Sequence, residues 1–220
     1  MKAALPVLLS FNGGYVDTAG YLALQGLFTA HVTGNFVTLA AALAFGTSGI
    51  LTKLLALPVF CVVVIVTRLV SYGLPQRNWP ILPTMLTLKL LLMIVGAVLA
   101  IRLGPFHNGD SWSAMATGLT FVAAMAIQNA AHRIHLGSTP PSTLMTGTTT
   151  QIMIDMADAI HGLLPEKREV THARIRDMAL AVVSFAIGAA LAAFLFSFAG
   201  MWCFAVAPTV ALATHMAAVR

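Results

Sequence analysis

Charge is what this sequence has least of. Lys, Arg, Asp and Glu make up 9% of its 220 residues, and only 7 residues are acidic. A water-soluble domain carries about a quarter charged residues. Too little charge is present to coat a water-facing surface. Alternating strand-period stretches bounded by turns are also missing, which excludes an outer-membrane barrel. There is no nucleotide-binding glycine loop, no G-x-S-x-G elbow and no two-histidine metalloprotease helix. No His/Cys/Glu cluster has metal-ligand spacing, and nothing calls for a cofactor or promotes an enzyme. The two cysteines, Cys61 and Cys203, lie inside apolar segments and read as buried, inert thiols.

What is abundant is apolar residue, 59% of the chain, with a mean hydropathy of +0.89. Eight apolar segments recur from end to end, at about Ala3–Phe28, Thr33–Gly46, Leu51–Leu74, Ile81–Leu103, Trp112–Ile134, Ser142–Leu164, Ile175–Phe198 and Met201–Ala218. Most have the ~20 residues that cross ~30 Å of hydrocarbon. The fold expected is all-α, a polytopic helical membrane protein forming one membrane domain over residues 1–220. Met1, Lys2 and the short run to Leu9 resemble a signal peptide only faintly, and Lys2 reads as a cytoplasmic anchor. The net charge of +5 does not indicate nucleic acid, because the basic residues sit mainly between apolar segments.

Two segments are anomalous. The second is short, and the sixth loses its apolar character near Ile154, after which Asp155, Asp158 and His161 suggest a face meeting water. If both are broken or re-entrant, six full spans remain, with Lys53 and Arg102 outside. Lys2, Arg68, Arg77, Arg133, Lys167, Arg168, Arg174, Arg176 and Arg220 are then inside. If both cross, there are eight spans, and Arg68, Arg77 and Arg133 move outside. The positive-inside rule slightly favours six spans, with both termini cytoplasmic. The basic stretch Glu166–Arg176 is cytoplasmic either way, where it suits anionic lipid.

An internal two-fold repeat is expected, with units at about 3–103 and 112–218. In the first, Asp17 lies deep in a long segment and Thr33-Gly34-Asn35 opens the short one. In the second, Gln128-Asn129 precedes Thr146-Gly147-Thr148. Broken segments at matching places point to a transporter site. The candidate solute-binding residues are Asp17, Thr33, Gly34, Asn35, Lys89, Gln128, Asn129, Thr146, Gly147 and Thr148. Ionisable groups at membrane depth are costly and usually functional. Asp17 suits a coupling carboxylate, a helix cap, or a partner for Lys89. Helix starts at the two Thr-Gly breaks suit an anion, whereas Asp17 argues for a cation. His31 precedes the first break, and His132 and His135 read as interfacial. The small-residue stripe Ser184, Gly188 and Ala192 is a helix-packing surface, within the chain or in a homodimer.

The stretch from Gly14 to Tyr21, followed by Phe28-Thr29-Ala30-His31-Val32-Thr33-Gly34-Asn35, resembles the signature of the YoaK family. Ala126–Ala130 and Thr143–Thr148 are similar to its second signature. That family comprises bacterial inner-membrane proteins of unknown function, so the resemblance implies a location and leaves the substrate open. The reading is a small-solute secondary transporter or channel-like permease in the lipid bilayer, with a midplane site between the two breaks. The solute would be polar or anionic. The alternative is a non-transporting structural or regulatory membrane protein.

Overall fold

The computed structural model describes residues 4–219. Lys2 and Arg220, both used in the topology count, lie outside them. The described residues form α1 (Ala4–Ala23), α2 (Asn35–Phe45), α3 (Ile50–Gly73), α4 (Ile81–Leu103), α5 (Trp112–His135), α6 (Met145–His161), α7 (Pro165–Ala199) and α8 (Val206–Val219), with no strands among them. Short 3-10 turns precede α2 at Val32–Gly34 and α8 at Gly200–Ala205. Four stretches are long and apolar enough to cross a membrane: Ile50–Arg77, Ile81–Leu103, Trp112–His135 and Pro165–Val219, the last holding both α7 and α8. Their lipid-length surfaces carry exposed Val62, Ile65, Leu91, Val95, Val183 and Ile187. The chain is a helical membrane protein.

Helix boundaries follow local chemistry. α1 stops short of the expected Phe28 because Gln25 and Gly26 take positive φ values of 55° and 80°. α7 starts at Pro165, well before the expected Ile175. Proline at its first turn and Glu166 beside it are helix-start signals. Its 35 residues reach ~52 Å, beyond the ~30 Å of hydrocarbon.

The helices run in two directions. The Ser184 hydroxyl donates to the Val7 carbonyl at 2.8 Å, and Gly188 packs on Phe11, so α1 and α7 are parallel. Leu5 and Leu9 of α1 cluster with Leu82 and Leu86 of α4, with Leu136 just past α5, and with Ala217 and Ala218 near the end of α8. Thus α1, α4 and α7 run one way, while α5 and α8 run the other. α3 joins the second set, because its start meets the start of α5. There the Thr52 hydroxyl donates to the Gly109 carbonyl at 2.5 Å.

That same end holds the exit from α1. Gln25 donates to the Phe106 carbonyl at 2.9 Å, and Gly109 packs against both Gln25 and Gly49. The chain therefore leaves α1 and enters α3 at one end, with α2 between them. At the opposite end, Thr139 and Pro140 lie beside Pro6, Asp177 and Leu180 in one small cavity. The chain leaves α5 and enters α7 there, with α6 between them.

Several expectations change. The stripe Ser184, Gly188 and Ala192 is buried, with Ser184 and Gly188 packed on α1, so its packing is internal. Cys203 is buried, but Cys61 is exposed on α3. Asp155 does not meet water: only 1% of its side chain is exposed, and Arg174 covers it with bonds of 2.7 and 2.6 Å. His132, in the last turn of α5, is buried, its Nε2 lying 3.2 Å from the Thr139 hydroxyl.

Candidate functional site

Asp17 sits on α1 with 5% exposure. Its Oδ1 accepts the backbone N–H groups of Thr29, Ala30 and His31 at 2.8, 2.7 and 3.2 Å. A carboxylate buried in hydrocarbon must be answered by donors, and this one is answered by a loop. Asn35 does similar work from the other side. It donates to the Phe28 carbonyl and accepts the Phe28 N–H, both at 2.8 Å. The segment 28–31 is therefore pinned between α1 and the start of α2. Thr33 is exposed and Gly34 half-buried beside it, with the Phe28 ring filling the place of a side chain on Gly34.

The second loop is pinned in the same style. The Thr143 hydroxyl donates to Asn129 Oδ1 at 2.7 Å. Gln128 Nε2 donates to the Ser142 hydroxyl at 3.1 Å and to the Leu9 carbonyl at 2.9 Å. α6 follows, with Thr148 buried and its hydroxyl bonded to the Leu144 carbonyl at 2.9 Å. Thr146 and Gly147 are exposed.

The two loops arrive from opposite ends yet touch the same helix. Gly13 lies against the Ser142 carbonyl and the Thr143 methyl, while Asp17 and Gly20 lie against Thr29. Residues 13, 17 and 20 share one face of α1, and 13 and 17 are ~6 Å apart along its axis. The loops therefore contact neighbouring positions on a single stripe of α1.

Lys89 is elsewhere. It is wholly buried on α4, and its Nζ has no hydrogen-bond partner among the described residues. It forms no ion pair with Asp17, whose bonds all go to the loop. Ser10 Oγ, both side-chain polar atoms of Asn12, and Gln128 Oε1 are likewise buried and unbonded. Sequence reading placed Asn12 only as an interruption and passed over Ser10. Both are visible as polar residues in an apolar run, but so are many packing residues.

An open pocket of about 390 Å³ lies between α3 and the second loop. Asn129, His132, Arg133, Thr139 and Ser142 supply its polar lining, and Phe60 one wall. At the opposite end, Asp110 caps α3. Its carboxylate accepts N–H groups of Gly49, Ile50 and Thr52 at 2.9, 3.0 and 3.0 Å. Burial raises its pKa, but those donors and the Thr52 hydroxyl outweigh burial and hold it below the usual carboxylate range.

The chain is similar to the UPF0700 transmembrane protein YoaK of Bacillus subtilis (strain 168), with 29% identity over 192 residues, 84% of this chain and 80% of that protein. No solved structure matches it. Residues 5–217 match the family described as protein of unknown function (DUF1275), so the chain belongs to that family, which takes in the YoaK resemblance of its two loop signatures.

Proposed function

We propose that this protein is a small-solute secondary transporter or channel-like permease, with its site near the bilayer midplane where the two pinned loops contact α1. The observation that carries the reading is that both loops, arriving from opposite ends, contact neighbouring positions on one face of α1. Non-helical backbone at membrane depth is tolerated only where protein buries it or it lines a cavity, and paired broken elements mark transporter sites.

Six crossings, formed by α1, α3, α4, α5, α7 and α8, fit the helix directions, with α2 and α6 re-entrant. The start of α1 and the end of α8 then share the end that carries seven of the nine described Lys and Arg residues other than Lys89, which makes that end cytoplasmic. The inner membrane is the natural location. The repeat units are inverted. Exchanging α1 with α5, α2 with α6, α3 with α7 and α4 with α8 turns the α1–α7 pairing into α5–α3. It also turns α4–α5 into α8–α1 and α2–α3 into α6–α7, and all of these pairs are packed.

The test is reconstitution into liposomes and stopped-flow light scattering with formate, nitrate, acetate, urea and glycerol. Solute entry faster than into empty liposomes supports the reading. Rates equal to empty liposomes for all five would sink it. The second reading, a non-transporting scaffold, is favoured by one observation: Asp17, Asn35 and Asn129 all make bonds within the protein. It gains if no solute moves.

A further inference from the structure

Three of the residues with buried, unbonded polar atoms, Asn12, Lys89 and Gln128, fall at one level of the bundle, apart from Ser10 and His132. Leu9 and Leu86 belong to one packed cluster, and α1 and α4 run parallel. One turn further along each helix stand Asn12 and Lys89. Gln128 reaches the same level, since it donates to the Leu9 carbonyl at 2.9 Å. The antiparallel register of α4 and α5 agrees, because Met85 clusters with Ile127 and Ala131, while Gly96 packs on Phe121. Lys89 falls between those pairs, opposite the turn that carries Gln128. From α8, Thr214 enters the layer, one residue before His215, whose Nδ1 lies 3.3 Å from the Thr87 hydroxyl. Thr214 spends its own hydroxyl on the Ala211 carbonyl.

This layer holds a buried lysine amine with neither a counter-ion nor a hydrogen-bond partner among the described residues. A buried charge costs several kcal/mol unless paired. The carboxylate on α1, Asp17, is held by loop N–H groups, and Asp110 is committed to capping α3. Asn12 adds an unspent amide, whose nitrogen can donate twice and whose oxygen, like Gln128 Oε1, is an unspent acceptor. The pocket of about 390 Å³ approaches from the cytoplasmic end. Its mouth carries the exposed Arg133, and its Ser142 hydroxyl accepts from Gln128. A basic mouth leading to a buried lysine amine draws anions inward.

We infer that a small monovalent anion binds in this layer, held by Lys89 Nζ and the Asn12 amide, with Gln128 between it and the pocket. The inference rests on the transport reading for its purpose, and it names the solute class. Both lysine and asparagine donate, so the ligand accepts. One cation selects one negative charge. A closed layer between four helices admits a compact ion such as formate, nitrate or chloride and refuses a bulky one.

The experiment is thermal unfolding of the full chain in detergent, at constant ionic strength, with sodium gluconate exchanged stepwise for sodium formate or sodium nitrate. The midpoint is expected to rise by about 3–5 °C per tenfold increase in the small anion once the site is half-filled. Lys89→Met keeps the side-chain length and removes the unpartnered amine. It should fold in gluconate and lose the rise. Asn12→Ala should keep the rise but move its half-effective concentration about tenfold higher, and it serves if Lys89→Met does not fold. A midpoint indifferent to anion, or an equal rise in Lys89→Met, overturns the inference. Anion binding without flux in liposomes would sink the transport reading and leave the site standing. Flux of urea or glycerol without anion binding would do the opposite.

Discussion

The contact of α1 with α7 makes a sharp stability prediction. A Cβ built on Gly14 would lie 2.1 Å from the Phe185 carbonyl oxygen, and one on Gly188 would lie 2.2 Å from the Phe11 carbonyl oxygen. Backbone cannot yield as a flexible side chain can, so either alanine forces the helices roughly 1 Å apart. Overpacking of this kind costs about 1–3 kcal/mol. Lipid gives no hydrophobic drive to re-close the gap, because helix association in a bilayer rests on packing. Parting the helices also stretches the 2.8 Å bond from Ser184 to Val7, worth about 0.6 kcal/mol in membrane proteins. Gly14→Ala and Gly188→Ala should each lower the unfolding midpoint in detergent by about 5–10 °C. Gly147→Ala is the internal control. Nothing lies within 4 Å of its would-be Cβ, and alanine in a helix gains up to about 1 kcal/mol over glycine. Midpoints for all three variants within about a degree of the parent would refute the close-packing argument.

Asp110→Ala removes the carboxylate that accepts three N–H groups at the start of α3 and should cost about 1–2 kcal/mol. Because the folded pKa of Asp110 is depressed, its contribution is complete above about pH 3.9 and fades as pH falls through the lower folded value. The parent and Asp110→Ala midpoints should therefore converge in acid, and a gap that widens there contradicts this. Asp17→Asn weakens the three bonds to Thr29, Ala30 and His31 and should expose the segment 24–34 to protease while lowering the midpoint. Unchanged stability with lost flux would instead assign Asp17 to the solute. With Cys61 and Cys203 replaced, single cysteines at Ser48 and Gly137 should label from opposite sides of the membrane. In intact cells the impermeant thiol reagent should reach Ser48 and spare Gly137, and the reverse pattern would defeat the six-crossing topology.

The helices were readable because hydropathy and punctuation are local. The apolar runs gave the helices but not all their ends: Gln25-Gly26 stops α1 before the expected Phe28, and Pro165 with Glu166 starts α7 before the expected Ile175. The short second segment was legible for the same reason, since 11 residues cannot span a bilayer. The partners of polar residues were not. Asp17 looked equally suited to capping, to coupling and to pairing with Lys89. The choice depends on where residues 29–31 return, which is long-range geometry. Asp155 looked solvent-facing because Arg174, nineteen positions away and on another helix, could not be placed over it. Arg174 stays 51% exposed while its partner is 1% exposed, an asymmetry that charge pattern alone does not reveal.

The sign of the solute turns on the same distinction. Two sequence features pointed opposite ways: helix starts favoured an anion and Asp17 favoured a cation. The three loop N–H groups that converge on Asp17 Oδ1 spend its negative charge on holding the fold. Lys89 receives no such answer, for its Nζ lies buried without an acceptor. Of the two ionisable groups buried in the bundle, Asp17 has its carboxylate oxygen answered by loop N–H groups, whereas the Lys89 amine has no bonded partner. A carboxylate near a candidate site is thus no guide to the solute until its donors are counted, and on the anion proposal the lysine is the group left to meet the solute.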